Sequence, residues 1–141
     1  MAHPILTIAF ALAGATAWAS TQGGAITATT PKRGGGNAVA SKVTNPVAAT
    51  AASIAAGRKT YTLLCSRCHG PAGKGDGGGA GAGGQPADFT DDVWEFGSSD
   101  GEIFAAIAEG TSADMESYAE RIPAQGIWEL VNYLRSLKPR P

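Results

Sequence analysis

Cys65-Ser66-Arg67-Cys68-His69 reads C-x-x-C-H, the spacing that serves covalent attachment of a haem. Two cysteines three positions apart on one helical turn face the same side, so both thiols can add across the vinyl groups at one edge of a porphyrin. The next residue, His69, is carried beneath the ring, where a neutral imidazole nitrogen can bind iron. Other uses of these residues fit less well. A zinc site needs four ligands, yet Cys65 and Cys68 are the only cysteines and His3 is the only other histidine. A thioredoxin-like pair calls for a βαβ context, whereas the flanks here read as helical and glycine-rich. A disulfide between Cys65 and Cys68 would leave His69 without a role.

The N-terminal third has a different character. Residues 5–15 are an apolar run of eleven, followed by Ala17-Trp18-Ala19, an A-x-A cleavage pattern. The run is too short to anchor in a bilayer, so residues 1–19 are expected to be a signal peptide cleaved after Ala19, although Met1-Ala2-His3 carries no Lys or Arg. No cysteine follows the cleavage pattern to take a lipid. Export to the periplasm would leave about 120 residues, one domain by length. Residues 20–48 are built from small and polar residues with Lys32, Arg33, Lys42 and no acids. With too few large apolar side chains to bury a core, they are expected to be a disordered low-complexity spacer, with a tether as the functional alternative. Residues 49–141 remain as the folded domain.

Within that domain the apolar spacing is helical throughout. Residues 51–64 place Ile54, Tyr61 and Leu64 at helical intervals, with Gly57 inside, where a glycine invites close approach by another helix. Residues 100–108 form a second helix: Ser99-Asp100-Gly101-Glu102 matches a capping box, Ile103, Ala106 and Ile107 share a face, and Gly110 sits at the C-terminal cap. A last helix starts after Pro123, carries Ile127, Leu130, Val131, Leu134 and Leu137 as one stripe, and stops at Pro139. No window alternates with period two, so the fold class is all-α. So few large side chains make a thin core, and a buried porphyrin would supply much of the missing apolar volume.

Between the motif and the second helix, residues 70–84 contain nine glycines in fifteen. The G-x-G-x-x-G strings at 73–78 and 79–84 follow no strand and lack G-K-[ST], so nucleotide binding is a weak reading. Backbone wrapping over one haem edge suits the composition better. Charge divides as well. Residues 50–141 hold eight basic and twelve acidic residues, a formal −4, with Arg58, Lys59, Arg67 and Lys74 around the motif and ten acids without a base in 88–120. Such runs are usually solvated faces, but a polarised molecule can use them to orient a redox partner.

Residues 50–138 resemble a class I cytochrome c domain of the small bacterial monohaem type. The resemblance rests on the helix ending in Cys65-Ser66-Arg67-Cys68-His69-Gly70, then Gly73-Lys74-Gly75-Asp76-Gly77, then Pro86-Ala87-Asp88-Phe89. It continues through the helix from Ser99 to Gly110, a methionine in the next loop, and Ile127-Trp128-Glu129-Leu130-Val131-Asn132-Tyr133-Leu134. It implies three to five short helices wrapped around one covalent haem c with its iron. It also implies that the first and last helices cross through Gly57 and Tyr61 against Leu130 and Tyr133, and that the Nδ1–H of His69 donates near the Pro86 carbonyl. Trp94 and Arg67 are candidates to reach the propionates, with simple packing as the alternative for the tryptophan.

The second axial ligand follows partly by elimination. Once residues 1–19 are removed, no second histidine remains, both cysteines are used, and Met115 is the one methionine left; it lies where the family places its distal ligand, with lysine or water as the alternatives. The family often follows that methionine with proline, whereas here Met115-Glu116-Ser117-Tyr118 leaves the loop's rigidity open. A thioether favours the reduced iron, and a six-coordinate iron has no vacancy for substrate. The expected function is therefore a non-enzymatic single-electron carrier, monomeric, docking on a redox donor and acceptor, with no nucleic-acid partner. Two alternatives stay open. One is a tethered haem subunit of a dehydrogenase or oxidase complex, with peripheral membrane association. The other is a peroxidase-like haem enzyme, which would need a polar distal group where the sequence offers no second histidine or nearby arginine.

Overall fold

The computed structural model describes residues 36–79 and 84–138. The expected signal peptide with Ala19, residues 20–35 of the expected spacer, loop residues 80–83 and Pro139 lie outside the described residues. Among the described residues the protein has four helices and no strand: α1 (Ala51–Leu64), α2 (Ser66–His69), α3 (Asp100–Glu109) and α4 (Ala124–Leu137), preceded by a 3-10 turn at Ala40–Lys42. The all-α expectation is met.

Helix α4 is the centre of the core. Its stripe of Ile127, Leu130, Val131 and Leu134 is at most 3% exposed, as the spacing predicts, and it packs chiefly on α1. The two helices cross at Gly57, where a Cβ would stand 2.6 Å from the Glu129 carbonyl carbon and 2.9 Å from the Tyr133 Cβ. No side chain fits between the two backbones there. Next along α1, the Tyr61 and Tyr133 rings meet at 5.1 Å, so the crossing is the expected one, with Glu129 rather than Leu130 directly against Gly57. Helix α1 starts at a reciprocal cap: the Thr50 hydroxyl accepts from Ser53 N–H at 3.1 Å, and the Ser53 hydroxyl accepts from Thr50 N–H at 3.0 Å. Helix α3 starts at the capping box read from Ser99 and Glu102, ends at Gly110, and lays Ile103 and Ile107 into the same core.

Residues 36–48 depart from the sequence reading. Composition makes them the end of a spacer, but the structure lays them as a strap over α3 and α4. The Asn45 amide donates to the Trp128 carbonyl at 3.1 Å and to the Asn132 side chain at 2.9 Å. Asn132, only 5% exposed, donates in turn to the carbonyls of Val47 and Ala48 and to the Ser53 hydroxyl. Paired amides and carbonyls hold this segment, with Val47 packed against the core, and a reading based on apolar content does not register the polar bonds. Residues 36–48 thus lie against the helices of the expected domain. The arrangement leaves one end of α1, α2, and the facing sides of α3 and α4 to enclose the candidate site.

Candidate functional site

Helix α1 breaks at Cys65 (φ −113°, ψ −36°), and the chain restarts at once as α2. The turn still closes, because His69 N–H and Cys68 N–H both donate to the Cys65 carbonyl, at 2.9 and 3.1 Å. Cys65 and Cys68 thus sit one turn apart, half-buried and as free thiols. The open carbonyls at the end of a helix need donors, and here the glycine loop provides them. Gly75, Gly77 and Gly79 N–H donate to the carbonyls of His69, Cys68 and Arg67, at 2.9, 3.1 and 2.9 Å. A Cβ at Gly77 would stand 2.5 Å from the Cys68 carbonyl oxygen, so the ladder requires glycine there. The loop wraps with its backbone, as its composition implies, but what the described part wraps is the motif's own carbonyls.

His69 Nδ1 lies 3.1 Å from the Ala87 carbonyl, one residue beyond the expected Pro86. The Pro86 carbonyl faces Gly75 instead. A carbonyl only accepts, so Nδ1 carries the proton and Nε2 keeps a free lone pair. Burial pushes the imidazole below its ordinary range despite the opposing Ala87 bond, and keeps it in the neutral form that a metal ligand requires. Phe89 stacks on the ring at 4.6 Å, itself fixed by its N–H on the Gly73 carbonyl at 2.7 Å. Tyr61, 1% exposed, donates its hydroxyl to the Gly70 carbonyl at 2.6 Å and so ties α1 to the end of α2.

Cys65, His69 and Met115 line one cavity, whose other walls are Tyr61, Phe89, Ile107, Tyr118, Leu130 and Leu134. Burial, with Cys68 beside it, pushes the Cys65 thiol up to about 11. That is the opposite of the lowered thiol range that favours thiol–disulfide exchange. Among the described residues no group of three or more His, Cys, Asp or Glu side chains converges as a metal site. Met115 sits on a loop that returns to α3, where Tyr118 N–H donates to the Ile107 carbonyl at 3.1 Å and the Ser117 hydroxyl to the Ala108 carbonyl at 2.6 Å.

Trp94 packs on Phe89 at 5.8 Å and lies under the Arg135 guanidinium at 5.6 Å, while Arg67 is exposed beside Gly79. Neither is among the cavity walls. The sequence also left one arginine unnoticed. Arg121 lies over the Tyr118 ring at 4.8 Å, close enough to Cys65 to favour its thiolate, so the reading that no arginine is near the site is corrected. Its only sequence signal is position: it is the first base after the acidic run.

Residues 52–134 match the family described as cytochrome c oxidase, cbb3-type, subunit III. The chain belongs to this family of c-type cytochromes. Solved structures agree on the fold. The chain is similar to part of the Kuenenia stuttgartiensis reducing HAO-like protein complex Kustc0457/Kustc0458, at 32% identity and TM-score 0.60, over 66% of this chain and 47% of that one. It is also similar to cytochrome cL from Methylophaga aminisulfidivorans, at 21% identity and TM-score 0.54, over 62% and 55%. Cytochrome cL from Hyphomicrobium denitrificans gives 20% identity and TM-score 0.53, over 61% and 48%. The chain spans about half the length of these proteins. No curated protein matches it.

Membership in this family brings a covalently bound haem c with its iron. The residues fit that group: two thiols on one turn, a neutral imidazole with its Nε2 free, a thioether in the facing loop, and otherwise apolar and aromatic walls. Proteins of this family are typically electron carriers that work with redox partners, some of them within complexes.

Proposed function

We propose that the protein is an exported single-electron carrier in which Cys65 and Cys68 bond the haem and His69 and Met115 occupy the two axial positions of its iron. The observation that carries this reading is that Cys65, His69 and Met115, fifty residues apart at the extremes, line the same apolar cavity. When bound, the haem supplies a one-electron iron couple. The Ala87 carbonyl orients His69 through Nδ1–H and raises its basicity toward the metal. The thioether of Met115 is a neutral, soft donor that favours the lower charge of reduced iron. Ile107, Leu130, Leu134, Phe89 and Tyr118 exclude water, which penalises added charge further. With His69 and Met115 both holding the iron, no coordination position would remain for a substrate.

Docking is best supported at α1 and α2. Arg121, Arg135 and Lys138 are committed to Glu116, Asp100 and Asp92. Arg58, Lys59, Arg67 and Lys74 are exposed and have no ion-pair partner among the described residues. Leu63, 73% exposed, stands among them. An acidic surface on a donor or acceptor would be steered to the part of the molecule around the motif. Residues 1–19 are proposed as the signal peptide and residues 20–35 as the spacer. No described helix is long and apolar enough to cross a membrane.

The second reading is a permanent haem subunit of a larger complex. It is favoured by the family's description as an oxidase subunit and by the 32% identical structure from an HAO-like complex. Size-exclusion of the native protein from its host separates the two. The ligand assignment is tested on ferric protein, which is expected to show a far-red Met–iron charge-transfer band that Met115→Ala abolishes. A wild-type protein without that band refutes it.

A further inference from the structure

Met115 lies on an excursion of the chain between Gly110 and Tyr118 that is tied on both sides. On the outward side, Thr111 and Ser112 N–H donate to the Met115 carbonyl at 2.9 and 3.3 Å, and the Ser112 hydroxyl accepts from Asp114 and Met115 N–H at 3.2 and 3.1 Å. On the return side, Ser117 and Tyr118 bond the last carbonyls of α3. Between them stands Glu116, adjacent to the methionine, and its carboxylate reaches Arg121 Nη1 at 2.5 Å. The same guanidinium lies over Tyr118 at 4.8 Å, and Tyr118 is a wall of the cavity that Met115 lines. Arg121 itself starts from firm ground. Its N–H and that of Ile122 donate to the Tyr118 carbonyl, at 3.0 and 2.9 Å, and Ile122 is 4% exposed.

One side chain therefore spans from a fixed turn, across an aromatic cavity wall, to the residue next to the thioether. We propose that Arg121 is a positioning residue that latches the Met115 loop: its pair with Glu116 and its stack on Tyr118 hold the thioether toward the iron and set how often it leaves. The inference rests on Met115 being the axial ligand. Both ends of the ion pair are half-exposed (49% and 64%), so the latch shifts the equilibrium by a factor of roughly five rather than by orders of magnitude.

The test uses ferric holoprotein and cyanide, at concentrations where binding is limited by departure of the native ligand. Arg121→Gln and Glu116→Gln are each expected to raise that limiting rate by roughly fivefold. They should also lower the temperature at which the far-red band fades and leave global unfolding in place. Arg121→Lys, which keeps the charge but loses the planar stack, is expected to fall between. A wild-type band with limiting rates unchanged in Arg121→Gln overturns the latch and leaves the ligand assignment standing. A rate increase matched by an equal loss of global stability also overturns it, because a merely structural role gives that result. Absence of the band in wild type removes the ligand assignment, and the latch with it.

Discussion

Replacing Gly57 by alanine tests the helix crossing on which the cavity is built, because two effects of opposite sign compete at that position. In an exposed helix interior the change stabilises by about 1 kcal/mol. At Gly57 the new Cβ would lie 2.6 Å from the Glu129 carbonyl carbon, where ordinary contact begins at 3.4 Å. The obstacle is helix backbone, which cannot rotate away as a side chain can. The Glu129 carbonyl oxygen is nearer still, so helices α1 and α4 must part by at least about 0.8 Å at that point, loosening the Tyr61–Tyr133 contact and with it one wall of the site. Overpacking of this kind costs about 1–3 kcal/mol, and the lost contacts add to it, so the net expectation is a loss of about 2 kcal/mol. For a domain of this size that lowers the melting temperature by roughly 10 °C. Thermal unfolding of the holoprotein, followed by far-ultraviolet circular dichroism, reads it directly. Gly78, with nothing within 4 Å of its Cβ position, is the control, and Gly78→Ala is expected to be neutral or slightly stabilising. A rise in melting temperature for Gly57→Ala would refute the crossing.

The other expectations follow from single contacts. Tyr61→Phe removes the shorter of two hydrogen bonds to the buried Gly70 carbonyl and leaves the one from Gly73 N–H at 3.2 Å, so it is expected to cost about 1 kcal/mol; urea unfolding should show a lower midpoint at constant slope, and an unchanged midpoint contradicts it. Asn45→Ala removes two of the strap's bonds to α4 and leaves those of Asn132 to Val47 and Ala48, so amide protection should fall across residues 39–45 while that of α4 persists; equal loss in both would mean that the strap and core open as one. Ser99 N–H, then its hydroxyl, hold the Glu102 carboxyl below the usual carboxylate range. Because the folded pKa is the lower one, this contribution is complete above the unfolded value and disappears as pH falls through the folded one. Glu102→Gln is thus expected to flatten the acid limb of the stability profile, and a limb of unchanged slope argues against it.

What the sequence discloses is whatever rests on spacing and caps. Helices α1, α3 and α4 could be placed because their apolar positions recur at helical intervals and because Ser99, Gly110 and Pro123 stand at their ends. The thiols and His69 could be read because their chemistry needs adjacency along the chain. What escaped was set by backbone bonding or by distant partners. The strap is fastened by Asn45 and Asn132, 87 residues apart, and neither looks like a core residue. The glycine ladder uses N–H groups that every residue except proline possesses. The choice between Pro86 and Ala87 as the partner of His69 is a matter of which way successive carbonyls point. Arg121 matters because the Met115 loop doubles back toward it, and nothing local to Arg121 announces that.

The most direct measurement of the central claim is the mass of the exported protein, made with haem-maturation machinery present, after denaturation and acid–acetone extraction. The account predicts a polypeptide that keeps its colour and exceeds its amino-acid mass by one haem, and a Cys65→Ala, Cys68→Ala double variant that loses both. A wild-type mass equal to the polypeptide alone, or pigment that passes wholly into the solvent, would contradict it.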